Sequence, residues 1–311
     1  MTTPTFQPTG SGHPGAGDSE ASSALASPVR RRALCFGAAA LGAAALAPVG
    51  LVRAQSLGDR PLRIILPLSA GSGADGAIRA ISNSLAKALG QPVVIENRTG
   101  AGGNIAAEAV TRAAPDGQTL LITVDTVVTV NPRLYPNLKF KADADLVPII
   151  YLTNSAQTLV CHPSVPVKSV SELVAYARSH DLSYASGGQG VPGHLAAEMF
   201  LAATGVRMTH VPYRGPTLAL QDMMGGNVQC GFLSTSVVMP HVKSGKLLGL
   251  AVTSARRSPI APELPTMSEA GIAGFEASFG DLLLAPKGTP PAVVATLNEV
   301  FGAVLVFIPQ I

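Results

Sequence analysis

The sequence predicts an α/β fold made of two blocks, each a mostly parallel sheet flanked by helices, with a cleft between them. Three observations carry this. From residue 62 onward, short apolar strand-like runs alternate with amphipathic helical segments, the pattern of βαβ units. A glycine-rich turn lies between a strand and a helix in each block. After an irregular Pro-rich stretch at 258–274, a strand-like run at 278–285 returns the chain toward the first block. With 311 residues the chain is long enough for two domains with cores of their own.

In order, residues 62–66 (LRIIL) suit a buried strand. A helix follows with Ile78, Ile81, Leu85 and Leu89 on one face and Gly90 as its stop. Residues 92–96 form the next strand, 104–113 a helix, 115–117 a Pro-Asp-Gly turn and 120–124 a strand. The second block opens near 147–151 and continues with a strand at 158–161. A helix at 169–180 then begins on a capping box, Ser169 with Glu172. Strands at 182–185, 208–211, 228–232 and 247–253 alternate with helices at 193–204, 217–224 and 237–244. A last helix begins near Pro291. These elements divide into one domain of residues 55–154 with 279–311 and a second of residues 155–278.

Hydrophobic residues make up 47% of the chain and charged residues 13%, which excludes a disordered or highly charged protein. The net charge is +3, and Arg30, Arg31, Arg32 and Arg53 against Asp18 and Glu20 supply two of those charges before residue 55. The remainder is close to neutral and the chain has no Trp, so neither a basic footprint nor a stacking platform for nucleic acid is present. The first 29 residues read as a disordered leader rich in Ser, Gly, Pro, Thr and Ala. Arg30, Arg31 and Arg32 then precede an Ala/Gly-rich apolar run ending at Val52-Arg53-Ala54. This is a signal peptide of twin-arginine type, expected to be cleaved after Ala54. An uncleaved membrane anchor is the other reading of a run of that length. Translation starting nearer Arg30 would also account for the long leader.

The turn at 71–76 (GSGADG) matches GxGxxG between a strand and a helix, and Glu96 lies twenty residues further on. A nicotinamide-dependent oxidoreductase using Gly71, Gly73, Gly76 and Glu96 is therefore an alternative. Against it, residues 67–70 separate the strand from Gly71, and Asp75 would set a carboxylate near a pyrophosphate. The other chemistry of such a turn needs no cofactor: unpaired N–H groups at a helix start, aided by the helix dipole, accept an anion. The turn at 186–190 (SGGQG) is a second of this kind, in the other block. The sequence has no GxSxG, no HExxH, no Walker-type lysine and no Cys/His metal spacing, and its histidines pair with no nucleophile in sequence. No catalytic residue, metal site or cofactor is assigned. Cys35 falls in the signal, and Cys161 and Cys230 read either as small core residues or as a disulfide permitted by an oxidising compartment.

An ordered series of motifs runs through most of the chain. It comprises PLSAGSGAD at 67–75, VIENR at 94–98, GAGGN at 100–104, APDGQTL at 114–120 and YASGGQG at 184–190 with His194 and Leu195. HVPYRG at 210–215, GGNV at 225–228, PHVKSGK at 240–246, LAVT at 250–253, PTMSEAG at 265–271 and APKGTP at 285–290 follow. Together they resemble the Bug (TctC-like) family, the extracytoplasmic receptors of tripartite tricarboxylate transporters. The resemblance implies a periplasmic-binding-protein (Venus flytrap) architecture that closes on a small carboxylate in the periplasm. It further implies a monomer without cofactor that hands its ligand to membrane transporter subunits or a sensor kinase. Carried onto this sequence, the ligand loops are Ser69, Ala70, Gly71, Ser72, Gly73 and Asp75 on one side. On the other are Ser186, Gly188, Gly190, Val191 and His194, with Thr126 and Ser234 at further cleft-facing positions.

Some positions depart from the family pattern. Ser72 replaces a second glycine, Leu68 a common aromatic, and Val191 and Gly193 replace frequent hydroxyl residues. The chain ends at Ile311, where the family continues with helices that return to the first domain. Its apolar ending is expected to reflect a truncation that leaves core surface uncovered. A shortened receptor without ligand function is thus the third reading.

Overall fold

The structure, a computed structural model, describes residues 58–306. The expected leader, signal peptide and cleavage site, and the ending at 307–311, fall outside the described residues. The described chain opens with β1 (Leu62–Leu66), α1 (Gly73–Leu89), β2 (Val93–Asn97), α2 (Asn104–Thr111) and β3 (Thr119–Val124). Single helical turns at Thr126–Thr129, Asn131–Leu134 and Ala142–Asp145 lead to the long strand β4 (Leu146–Cys161). Then come α3 (Val170–Ala177), β5 (Ser183–Ser186), α4 (Pro192–Thr204), β6 (Thr209–Pro212) and α5 (Pro216–Met224). β7 (Cys230–Ser234), α6 (Thr235–Lys243), β8 (Leu248–Val252), β9 (Ser278–Pro286) and α7 (Pro291–Val306) complete the order.

The strands join in the order β2-β1-β3-β9-β4-β7-β5-β6, with β8 also on β4. β2, β1 and β3 are parallel, as are β7, β5 and β6, which follows from their helical crossovers. The antiparallel pairings all involve β4 or β9, the strands that carry the chain out of the first lobe and back. β4 belongs to both lobes: residues 146–156 pair with β9, and residues 157–161 pair with β7 and β8. From the sequence this strand reads as two, because residues 152–157 are mostly polar. Ser155 and Gln157 of this stretch face a cleft, and the strand continues through it with register shifts at Ile149 and Leu152.

Helix and strand periods account for the core. Leu62, Ile64 and Leu66 of β1 pack on Ile78, Ile81 and Leu85 of α1 and on Leu297 and Phe301 of α7. Ile65 faces the opposite side, toward Ala106, Ala107 and Val110 of α2. Each large side chain so buried contributes about 1.5–3 kcal/mol relative to exposure. α1 starts on the Ser72 cap and stops at Gly90, whose φ of 67° suits the left-handed stop that a glycine adopts without strain. In the second lobe, Leu173, Tyr184, Phe200 and Phe232 form one face of the core, and Val160, Ala185, Leu220 and Met223 the other. Cys161 and Cys230 face each other in the β4–β7 register, both fully buried, with their sulfurs 2.9 Å apart as free thiols. Burial and the neighbouring Cys230 push the Cys161 thiol well up, which keeps it protonated.

Where the chain crosses between lobes, Thr253 holds the two crossing segments together. Its buried hydroxyl accepts from the Gln157 N–H at 2.8 Å and donates to the Ala277 carbonyl at 2.6 Å. Its own N–H and carbonyl pair with Gln157 and Ala277 as well, each at 2.8 Å.

Candidate functional site

Two adjoining cavities lie between the lobes and share Leu68, Val124, Gly187 and Val191. The first, of about 540 Å³ and open to solvent, is where helix starts from both lobes converge. Gly73 and Ala74 open α1, Pro192 and Gly193 open α4, Pro216 opens α5, and Ser234 caps α6; all six line the cavity. Ser155 and Gln157 of β4 and Asp281 of β9 are among its other polar lining groups. Among the described residues, no Lys, Arg or His lines this cavity.

Local sequence explains how the helix starts come so close. Ser72, almost wholly buried, caps α1 by accepting from the Asp75 N–H, and Gly73 packs against the Ser234 hydroxyl. At Gly193 the first turn of α4 presses on β7 so tightly that a Cβ would stand 2.2 Å from the Phe232 carbonyl oxygen. On this backbone no side chain has room at that position.

The site residues named from the sequence fall into three groups. Ser72, Gly73, Val191 and Ser234 line the first cavity, and Gly188 lines the second. Ser69, Ala70 and Gly71 stand at the junction of the lobes: Thr217 of α5 donates to the Ala70 carbonyl and shares a hydrogen bond with the Ser69 hydroxyl, each at 3.0 Å. Asp75, Thr126, Ser186, Gly190 and His194 line neither cavity; Asp75, Ser186 and His194 hydrogen-bond to loop amides from behind. Asp75 accepts from the Gly71 N–H at 3.0 Å, from Arg79 and from Asn97. Burial opposes its ionisation, but these donors hold its carboxyl below the usual carboxylate range. The chain's own carboxylate thus occupies the Gly71 amide, and Gly73 and Ala74 lie in the first turn, whose amides have no intrahelical acceptor. This also counts against the dinucleotide reading, as does Glu96, which is taken up by Arg98 and Arg63.

Ser186 is fully buried, and its hydroxyl lies 2.6 Å from His210 Nε2 and accepts from the Gly188 N–H at 3.1 Å. His210 stacks between Tyr184 and His194, and burial, aided by His194, pushes it down to about 4. His194 Nδ1 accepts from the Gly190 N–H at 3.2 Å, and burial lowers its pKa despite Glu198 nearby. A serine and a neutral histidine in contact resemble a nucleophile with its base. Here the serine is out of reach of solvent and its hydroxyl is held by its own loop, so the pair shapes the 187–190 turn. Thr126 is buried at the start of its single helical turn, and its hydroxyl has no partner among the described residues. Among the described residues, no three His, Cys, Asp or Glu side chains group to hold a metal ion, and no helix is long and apolar enough to cross a membrane.

Ser155, Gln157, Pro216, Thr217, Tyr135 and Asp281 were not legible as site residues. Tyr135 donates to the Gln189 carbonyl at 2.8 Å across the lobes. Asp281 alone left a trace in the sequence, a charge within the apolar run from Phe279 to Leu284.

The family model for the tripartite tricarboxylate transporter family receptor (TctC) matches residues 77–307. The chain is 36% identical over 251 residues to protein BugT of Bordetella pertussis, covering 80% of this chain and 77% of that one. Among solved structures it resembles Rhodopseudomonas palustris Rpa4515 with adipate, at 34% identity and a TM-score of 0.76, covering 78% of this chain and 82% of that one. MatC of the same organism, with bound malate, is also 34% identical, with a TM-score of 0.75 and coverages of 79% and 84%. Fold and family are therefore those of solute-binding receptors rather than enzymes. The chain belongs to the TctC receptor family of tripartite tricarboxylate transporters.

Proposed function

We propose that this protein is an extracytoplasmic solute-binding protein that captures a small carboxylate between its lobes. It works in the periplasm as a monomer and delivers its ligand to a tripartite tricarboxylate-type transporter or a sensor. The observation that carries the reading is the convergence of four helix starts, from both lobes, on one cavity that no basic side chain lines among the described residues. First-turn amides at Gly73, Ala74 and Gly193 have no intrahelical acceptor, and each helix end favours an anion by about 0.3–2 kcal/mol. The Ser234 hydroxyl and the Gln157 amide complete the donor set. The adipate and malate held by two solved relatives favour the same ligand class.

Residues 55–154 with 279–311 move against residues 155–278 about the crossing segments, a hinge closure. Ser69, Ala70 and Gly71 then serve as closure contacts, while Asp75, Ser186, Gly190 and His194 keep the two loops in shape.

Thermal denaturation of the mature protein with mono-, di- and tricarboxylates and NAD(P) tests the reading. A carboxylate at 100 times its Kd adds about 2.7 kcal/mol of stability. A shift with NAD(P) and with no carboxylate would overturn it.

A further inference from the structure

Among the described residues, the first cavity is lined by one charged side chain, and it is an acid. Asp281 lies in β9 beside Leu282, Leu283 and Leu284, is 9% exposed and faces the space that Ser155 and Gln157 also line. Its Oδ2 accepts from the Thr153 hydroxyl at 2.8 Å. Among the described residues no donor reaches its Oδ1, and no Lys, Arg or His pairs with it. The groups around it offer no positive charge. Asp125 accepts from the Gly280 N–H at 2.9 Å, and its Oδ1 is buried with no partner. The Tyr151 phenol is pushed up by burial and by Asp125 and Asp281.

A buried carboxylate without a countercharge is costly, and in a cleft that receives anions it also repels them. The arrangement becomes favourable when the occupant carries a cation of its own. We propose that the cleft selects an aminocarboxylate, with the ligand's carboxylate at the starts of α1 and α4 and its ammonium on Asp281. This rests on the carboxylate-receptor reading and narrows its ligand class. It separates this chain from a receptor for plain dicarboxylates, in which a second anionic group would meet Asp281. With no ligand bound, burial pushes Asp281 up to about 6, Thr153 opposes this, and Asp125 adds to it. An arriving ammonium favours the ionised form, so binding releases a proton when the pH lies near or below that value.

Calorimetry on the mature protein with matched pairs of compounds tests this. The pairs are β-alanine and propionate, 4-aminobutyrate and butyrate, 6-aminohexanoate and hexanoate, and glutamate and glutarate. In at least one pair the amino compound should bind tenfold or more tighter at pH 7.5, and its affinity should fall severalfold at pH 5. Asp281→Asn keeps an acceptor for Thr153 and removes the charge. It should fold, as checked by a cooperative thermal melt, and lose the tenfold preference while binding the desamino partner at least as well. Tighter binding of the desamino compounds by the wild type, strengthening toward pH 5, would overturn the proposal; for glutarate it would identify Asp281 as a protonated donor to a second carboxylate. An unchanged preference in Asp281→Asn would overturn it too. Binding of no compound in either series would remove the receptor reading itself.

Discussion

Asp75 is 3% exposed, yet Gly71, Arg79 and Asn97 all donate to its carboxylate. Asp281 is nearly as buried and, among the described residues, has the Thr153 hydroxyl alone. The same side chain is therefore held ionised in one place and pushed toward neutrality in the other, because donors outweigh burial only at Asp75. The stability consequence of Asp75 has a definite sign. Its folded pKa lies below its unfolded value of about 3.9, so its contribution is complete above that value and is lost as the pH falls through the folded pKa. Asp75→Asn should destabilise the protein by about 1–3 kcal/mol at pH 7. In urea melts the gap from wild type should close as the pH falls below 4. A gap that stays constant would show that charge is not what Asp75 contributes.

Among the elements, β4 joins the lobes and Thr253 ties it to the returning segment. The hydroxyl of Thr253 both accepts and donates, so replacing it with an isostere that does neither strands two buried backbone groups, Gln157 N–H and the Ala277 carbonyl. Thr253→Val should cost about 1–3 kcal/mol in urea denaturation, and Thr253→Ser should recover most of it. Full stability in Thr253→Val would mean that water or a shifted strand replaces the hydroxyl. β4 also marks a limit of pattern reading. Strand-like runs at 147–151 and 158–161 were visible, whereas the polar residues between them read as a break. Period and polarity report which face meets the core, and cleft-facing polar residues on a paired strand imitate a linker.

For the whole molecule, the lobes are drawn together, among the described residues, by few polar contacts: Thr217 on Ser69 and Ala70, and Tyr135 on Gln189. Each is a hydrogen bond worth about 0.5–1.5 kcal/mol net, an amount that biases a hinge without locking it. The double variant Tyr135→Phe, Thr217→Val should have a larger radius of gyration than wild type in small-angle scattering without ligand. Saturating carboxylate should restore the wild-type value. An unchanged radius in the ligand-free variant would place the closing force in apolar packing between the lobes instead.

The alternation of strand and helix, the capping box at Ser169 and the ordered motifs were set by local sequence, and they were enough to identify the fold class and the family. Local patterns carry that information because helix and strand periods, turns and caps depend on residues close together in the chain. The wall of the cleft was another matter. Ser72, Gly73, Val191 and Ser234 stand on it because their loops end in helix starts that the tertiary fold aims at one point. Asp75, His194 and Ser186, which carry the more reactive side chains, were turned inward to hold those loops. Asp281 reached the cavity only because β9 returns between β3 and β4 and sets it there. Which side chains face a ligand depends on contacts between residues more than a hundred positions apart, and on the burial that tertiary packing imposes on each charge.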